Sequence, residues 1–284
     1  MSRLLSRPTL RAFANTTFVA ACGLATVLAL TALGFILYSL FKQGVGGLDA
    51  NIFTKDTPAP GSVGGLRNAI EGSLMMCALA MAMAIGVGVL AGTWLAEYGG
   101  ASPYGHVVRF LNDVLLAAPS ILVGLFVYEL VVRPLHGFSG FAGAVALALL
   151  AVPVVTRTTE DILRLQPDAL REAGAALGAP RWVTIRQIIW RGAGGGLLTG
   201  GLLAFARISG ETAPLLFTAL NNQFLNHDLS KPTASLPAVI FQYALSAYDD
   251  WRRLAWAGAL LIALAVLTIN IIGRVIAARG THRP

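Results

Sequence analysis

The chain has 284 residues, of which 56% are hydrophobic and 12% charged, with a formal net charge of +7 and a mean hydropathy of +0.69. This composition excludes an ordinary soluble domain and points to an all-α, polytopic membrane protein. The basic surplus does not call for nucleic acid, because Lys and Arg gather on the cytoplasmic side of membrane proteins.

A spanning helix needs about 20 mostly apolar residues. The first span is predicted over residues 13–41, preceded by Arg3, Arg7 and Arg11. Its uncharged run is too long for a signal-peptide core of about 7–15 residues, so it reads as a retained anchor. A polar loop with Gly and Pro, 42–70, leads to a second span over 72–96, flanked by Glu71 and Glu97. A hydrophilic connection, 98–113, precedes a third span over 114–132, which contains Pro119 and, near its outer end, Glu129. The fourth span is predicted over 141–156, the fifth over 194–216 and the sixth over 254–273. Between the fourth and fifth lies a long hydrophilic stretch, 157–191, and between the fifth and sixth a polar segment, 221–253. With the N-terminus in the cytoplasm, the inside segments hold 13 basic residues and the outside segments 7, and Arg207 falls within a span. That asymmetry predicts both termini and the 157–191 stretch inside. Cys22 and Cys77 fall in apolar runs with neither metal-ligand nor disulfide spacing and read as small membrane-helix residues.

The 157–191 stretch is patterned as a helical clip. Pro167 suits the first turn of a helix, Asp168 and Glu172 sit near its positive end, and the Ala- and Leu-rich residues 169–177 favour helix. Gly178 supplies a stop, and Pro180 starts a second helix over 180–190 with Trp182, Ile185, Ile188 and Ile189 on an apolar side. Chemically, this is either an amphipathic element at the membrane surface or a docking surface for a cytoplasmic partner.

In the fifth span Gly192, Gly196, Gly200 and Ala204 recur every four residues and form one small face that admits a close neighbour. Arg207 and Glu211 fall within about 20° of that face, which predicts that both point into the bundle. A charge at mid-bilayer costs on the order of 2.5–3.5 kcal/mol on insertion scales. The two residues therefore form either a self-neutralising i,i+4 pair or a basic site for an anionic solute. Arginine's planar fork suits tetrahedral oxyanions. Arg157, at the inner end of the fourth span, is a second candidate.

The order Glu172-Ala173-Gly174, three residues, Gly178, nine residues, Ile188 resembles the EAA signature of permease subunits from importer-type ABC transporters. Gly174 stands where that signature has a third alanine, and Trp190-Arg191 where it usually has Leu-Pro. The run 206–220, ARISGETAPLLFTAL, resembles the fifth-span segment of phosphate-importer permeases, as do Arg157-Thr158-Thr159-Glu160 and the segment from Leu254 to Gly258. The similarity covers the chain from about residue 66, which divides it into 1–65 (tail, first span and outer loop), 66–276 (transporter domain with the 157–191 coupling loop) and a 277–284 tail. The resemblance implies a six-span type I (MetI-like) importer fold. It also implies a role in phosphate import across the inner membrane, with Arg207, Glu211 and Arg157 along the phosphate path. Glu172, Ala173, Gly174 and Gly178 would engage an ATPase. The implied partners are a second, related permease, two cytoplasmic ATPase subunits that hydrolyse the ATP, and an extracytoplasmic phosphate-binding protein.

The chain itself shows no ATPase site, since the Gly194-Gly195-Gly196 run lacks the Gly-Lys-Ser/Thr of a P-loop. It contains no HExxH, CxxC cluster or GxSxG elbow, and His227-Asp228 reads as a solvated loop. No metal or bound cofactor is expected. Three alternatives remain: a permease for another oxyanion, a secondary anion transporter, or an intramembrane enzyme. The last would need a Ser/His or Asp/Asp pair at matched depth, which the sequence does not offer.

Overall fold

The computed structural model describes residues 7–280, with side-chain surroundings for 11–277. Arg3, His282 and Arg283 lie outside the described residues. Within them the chain is helical throughout, with no strand.

Helix α1, Arg7–Val45, is followed by a short α2, Asn51–Thr54, and by α3, Arg67–Trp94. α3 runs on into a π-helical turn, Leu95–Gly99. α4 is Pro103–Ala117, and α5, Ser120–Val127, ends in a second π turn, Tyr128–Val132. α6 is Gly140–Arg164, α7 Asp168–Ala176 and α8 Arg181–Thr184. A third π turn, Ile185–Ile189, joins α8 to α9, Trp190–Ser209. α10 is Ala213–Thr218, α11 Leu236–Ala244 and α12 Asp249–Gly280.

Five helices are long and apolar enough to cross a membrane, and α4 with α5 make a sixth crossing if taken as one broken span. The third span therefore differs from the sequence expectation. Helix already begins at Pro103, and the crossing bends by 105° between Ala117 and Ser120. Pro119 explains the break, because it lacks an N–H and drives the preceding residue out of helical geometry; Ala118 is extended, with ψ 132°. The fifth span also ends earlier than expected, at Ser209, and a non-helical step at Gly210–Thr212 places Glu211 between α9 and α10.

α6 is the central helix. Sixteen of its 25 residues are buried, and it packs along α3 and α9. The α3–α6 seam is built from a stripe at four-residue spacing, Met76, Ala80, Ala84, Gly88 and Gly92, all buried, while Gly72, one step earlier, faces the backbone of Ala234. A Cβ on Gly92 would lie 2.5 Å from the Thr156 carbonyl oxygen, and one on Gly88 2.7 Å from Val155 Cβ. Lipid supplies no hydrophobic force between helices, so this close backbone approach is what holds them together. The α9 stripe behaves in the same way, with Gly196 against Ile162 and Gly200 against Thr158.

The two ends of the bundle differ. One end, here the clip end, carries α7, α8 and the start of α9. The other, the cap end, is closed by the segments 46–66 and 219–248. Buried Asn68 ties them together, accepting from Thr57 N at 3.1 Å and donating to Asn222 O at 2.7 Å. The Ser73 hydroxyl accepts from Leu236 N at 2.7 Å, and Tyr243 stacks on Trp251 with centroids 4.3 Å apart. α11 was not foreseen, because nine residues that include a proline look like loop in a polar segment. α1 lies at the periphery and packs chiefly on α12, with the centre of its apolar stretch unburied by the rest of the described chain.

Candidate functional site

The clip is a helix–Gly–helix hairpin, as expected. α7 ends where Gly178 takes a left-handed φ of +70°. Its N–H donates to Ala175 O at 2.9 Å and that of Ala179 to Gly174 O at 3.0 Å, the two bonds of a Schellman stop. The second arm differs from the expectation of a separate helix, because α8, the π turn and α9 run on as one continuous helix, Arg181–Ser209. The second arm of the clip is thereby continuous with a helix long and apolar enough to cross a membrane.

Of the four clip residues singled out, Glu172, Ala173 and Gly178 are exposed and Gly174 is buried. The position where the signature has alanine is filled by glycine for a local reason: a Cβ on Gly174 would lie 2.4 Å from Thr184 Oγ1. Around this hairpin Leu165, Leu177 and Trp182 stand 80%, 84% and 61% exposed. Apolar side chains exposed together in this way form a patch that the rest of the chain does not cover. A cleft of about 360 Å³ beside them is lined by Glu97, Arg171, Glu172, Arg181 and Thr184, among others.

Sequence reasoning missed the charges that hold the clip. Glu97, which the sequence marks only as a flank of the second span, has a side chain only 1% exposed. The Arg171 fork grips its carboxylate, with Nη2 2.7 Å from Oε1 and Nε 3.1 Å from Oε2. This bond raises the already high Arg171 pKa further. Arg171 also donates to Leu163 O and Gln166 O, both at 2.8 Å. Arg181 donates to Glu97 O and lies over the Tyr98 ring at 4.7 Å. A second buried carboxylate, Glu160, is 2% exposed and takes Arg109 and Arg164, each at 2.7 Å. Arg109 reaches on to Leu95 O at 3.2 Å. Removing one partner of such a pair typically costs about 3–5 kcal/mol, because the other charge stays buried alone. Arg164 and Glu160 are an i,i+4 pair on α6, but Arg171 with Glu97 and Arg109 with Glu160 lie 74 and 51 residues apart, so no local pattern could have paired those.

The charges of the fifth span are placed otherwise than the helical wheel predicts. Arg207, in the last turn of α9, is exposed on the surface of this chain and does not point into its bundle. The buried stripe centres on Ala193, Ala204 and Ile208; Arg207 falls roughly 60° from Ala204, at the edge of the seam, where a long side chain swings outward. The break after Ser209 takes Glu211 off the helix, so the i,i+4 relation is lost. Among the described residues, no hydrogen bond or ion pair joins Arg207 to Glu211 or to Arg157. Arg157 is exposed and faces Asp161 at 3.4 Å and Asp113 at 3.9 Å, which offsets its charge. Glu129 pairs with Arg133 at 2.6 Å, both more than half exposed. His227, in its exposed loop, meets Glu71 at 2.8 Å. Among the described residues, no three His, Cys, Asp or Glu side chains are grouped to hold a metal ion.

Comparison with known proteins now gives these features a context. Residues 66–281 match the family model described as "Binding-protein-dependent transport system inner membrane component". The chain belongs to that family. This permease is 53% identical over 251 residues to the phosphate transport system permease protein PstA of Haemophilus influenzae, covering 88% of this chain and 89% of the relative. It is also 53% identical over 249 residues to the PstA of Yersinia pestis, covering 87% and 84%. Among solved structures, the inward-facing MetNI methionine ABC transporter matches with a TM-score of 0.63 at 18% identity, over 75% of this chain and 94% of that one. A bacterial ABC transporter involved in alginate import matches with a TM-score of 0.58 at 14% identity, over 93% and 98%. At these identities the structures establish the fold of the permease and nothing about its cargo. The expected importer-permease fold is thus confirmed, as is a multi-pass membrane protein.

Proposed function

We propose that this permease is the membrane subunit of an ATP-driven importer for inorganic phosphate. The observation that carries the reading is the 53% identity to phosphate transport permeases over 88% of the chain. It is supported by the exposed apolar clip, which suits docking of an ATPase.

In this reading the clip end faces the cytoplasm, and the cap end faces an extracytoplasmic phosphate-binding protein. A second, related permease completes the pathway, and two ATPase subunits engage the clips and hydrolyse the ATP. Glu172 and Ala173 would present the docking face, while Gly174 and Gly178 would set the hairpin geometry. Closure of the ATPases would then be passed through the continuous α8–α9 helix to the span whose last turn carries Arg207. Among the described residues no carboxylate pairs with the Arg207 guanidinium, which would leave it available to a passing anion, and Glu211, within the break, would border the same exit from α9. Arg157 is the weaker path candidate, because Asp113 and Asp161 already occupy it. A transient site suits transport, since a tight one would not release its cargo.

The test is radiolabelled phosphate uptake in cells lacking their own importer, supplied with this chain and its partners. Uptake should require ATP, and Arg207→Gln should lower it at least tenfold while the complex still assembles. Unchanged uptake in Arg207→Gln would remove that residue from the path. Absence of phosphate uptake in an assembled wild-type complex, with sulfate or molybdate carried instead, would favour another tetrahedral oxyanion, which an arginine would also bind.

A further inference from the structure

We propose that Glu97 is a positioning residue for transport, the joint through which both arms of the clip pull on α3. The proposal rests on the reading of the clip as the ATPase docking element.

α7 is nine residues long, and only Gly174 is buried in it. Its main packing neighbours are α8 and the π turn Ile185–Ile189, with Leu170 reaching the small cluster of Leu163, Ile189 and Ala193. Its direct tie to α3 is the Arg171 fork on the Glu97 carboxylate. The second arm reaches the same residue, because Arg181 donates to Glu97 O. One residue therefore receives both arms, through its side chain and its backbone. Glu97 stands in a π turn, where one residue more is accommodated than in an α-helical turn and the following side chains are re-aimed. That turn is itself held from the opposite side by Arg109, which bridges Leu95 O to Glu160. The joint is thus continuous with α4, and through it with the bent α4–α5 crossing.

From Glu97 the path runs the full height of the molecule. α3 is closely seated on α6 through Gly88 and Gly92. Its first turns carry Asn68 and Ser73, which bind the cap at Asn222 and Leu236. A shift of the clip applied at Glu97 would therefore reach both the α3–α6 seam and the cap. The bidentate geometry matters here: a guanidinium held at two oxygens transmits rotation as well as translation, which a single point contact cannot.

The test uses the whole transporter, purified and reconstituted with its ATPase, partner permease and phosphate-binding protein. Glu97→Gln keeps the shape and one acceptor but removes the charge. Arg171→Gln removes the fork, and the double variant removes both. The expected result is that the ATPase still co-purifies and hydrolyses ATP, while phosphate uptake falls at least tenfold, so that more ATP is spent per phosphate carried. The double variant should be no worse than either single one, as for residues that act as a unit. Arg171→Lys, which keeps charge without the fork, should lie between wild type and Arg171→Gln, and it provides the reading should Glu97→Gln fail to accumulate. Unchanged ATP-to-phosphate stoichiometry in Glu97→Gln and Arg171→Lys would overturn the proposal, as would losses that simply add. Loss of ATPase co-purification would also overturn it, since the pair would then build the docking surface rather than connect it. A wild-type complex that imports no phosphate would sink the functional reading itself, whereas a competent wild type with indifferent variants sinks only the joint.

Discussion

At the scale of single residues, the clip shows how much depends on one missing methyl group. Gly174 faces Thr184, whose hydroxyl is buried without a hydrogen-bond partner and would lie 2.4 Å from an added Cβ. Thr is short and stiff at χ1, so it cannot swing aside as a longer side chain would. Gly174→Ala, which restores the alanine usual in the signature, should therefore destabilise the hairpin by about 1–3 kcal/mol. Adding Thr184→Ala should recover much of the loss, because it removes both the clash and an unsatisfied buried hydroxyl. Thermal unfolding of the purified protein in detergent, with and without the second change, checks this; a double variant as unstable as the single one would refute the pairing. The signature itself was legible from Glu172, Gly178 and Ile188, but Thr184 was not, since nothing in its neighbourhood marks it as the partner of a residue ten positions earlier. The same holds for Glu97. A carboxylate at the end of an apolar run reads only as the flank of a span, and only the folded chain brings Arg171 onto it.

At the scale of helices, the sequence was most legible where one chemical rule governs a long stretch. Long uncharged runs located α1, α3, α6, α9 and α12, because burial of the backbone in lipid allows little besides a helix. Small residues at four-residue spacing correctly marked the α9 face seated on α6, but their side-chain-free geometry misplaced Arg207, which sits at the edge of the stripe where a long side chain leaves it. The same period in α3, from Gly72 to Gly92, passed unnoticed beside it. This seam yields a paired prediction. Gly92→Ala would set a methyl group 2.5 Å from the Thr156 carbonyl, a backbone atom that cannot rotate away, whereas Gly86, on the same helix, has nothing within 4 Å of its would-be Cβ. Gly92→Ala should cost about 1–3 kcal/mol and lower the unfolding midpoint by several degrees, while Gly86→Ala should leave it unchanged or raise it, since alanine is the better helix former. Equal behaviour of the two would mean that the α3–α6 approach is looser than the geometry gives. The bend at Pro119 and the step at Gly210–Thr212 were only half legible: Pro and Gly announce a break, but the 105° turn comes from what the two halves pack against.

For the whole molecule, the two ends differ in how densely basic residues are placed along the chain, and this difference predicts orientation. Arg157, Arg164, Arg171, Arg181, Arg186 and Arg191 follow within 35 residues at the clip end, while Lys42, Lys55, Arg67, Arg133, Lys231, Arg252 and Arg253 are spread over three segments at the other. Basic residues in short loops are retained on the cytoplasmic side, so the clip end should face the cytoplasm. Several of those arginines are engaged with Glu97 and Glu160 once folded, but orientation is set as the chain is inserted, before those pairs exist, and all of them count. Single cysteines introduced into a Cys22→Ser, Cys77→Ser background would report this with a thiol reagent that cannot cross membranes. Ser62 and Ala175 are both exposed, at opposite ends of the bundle. Ser62→Cys should label in intact cells, and Ala175→Cys only after the membrane is opened. The reverse pattern would place the clip outside, where no ATP-driven partner could reach it, and the importer reading would fall with the orientation.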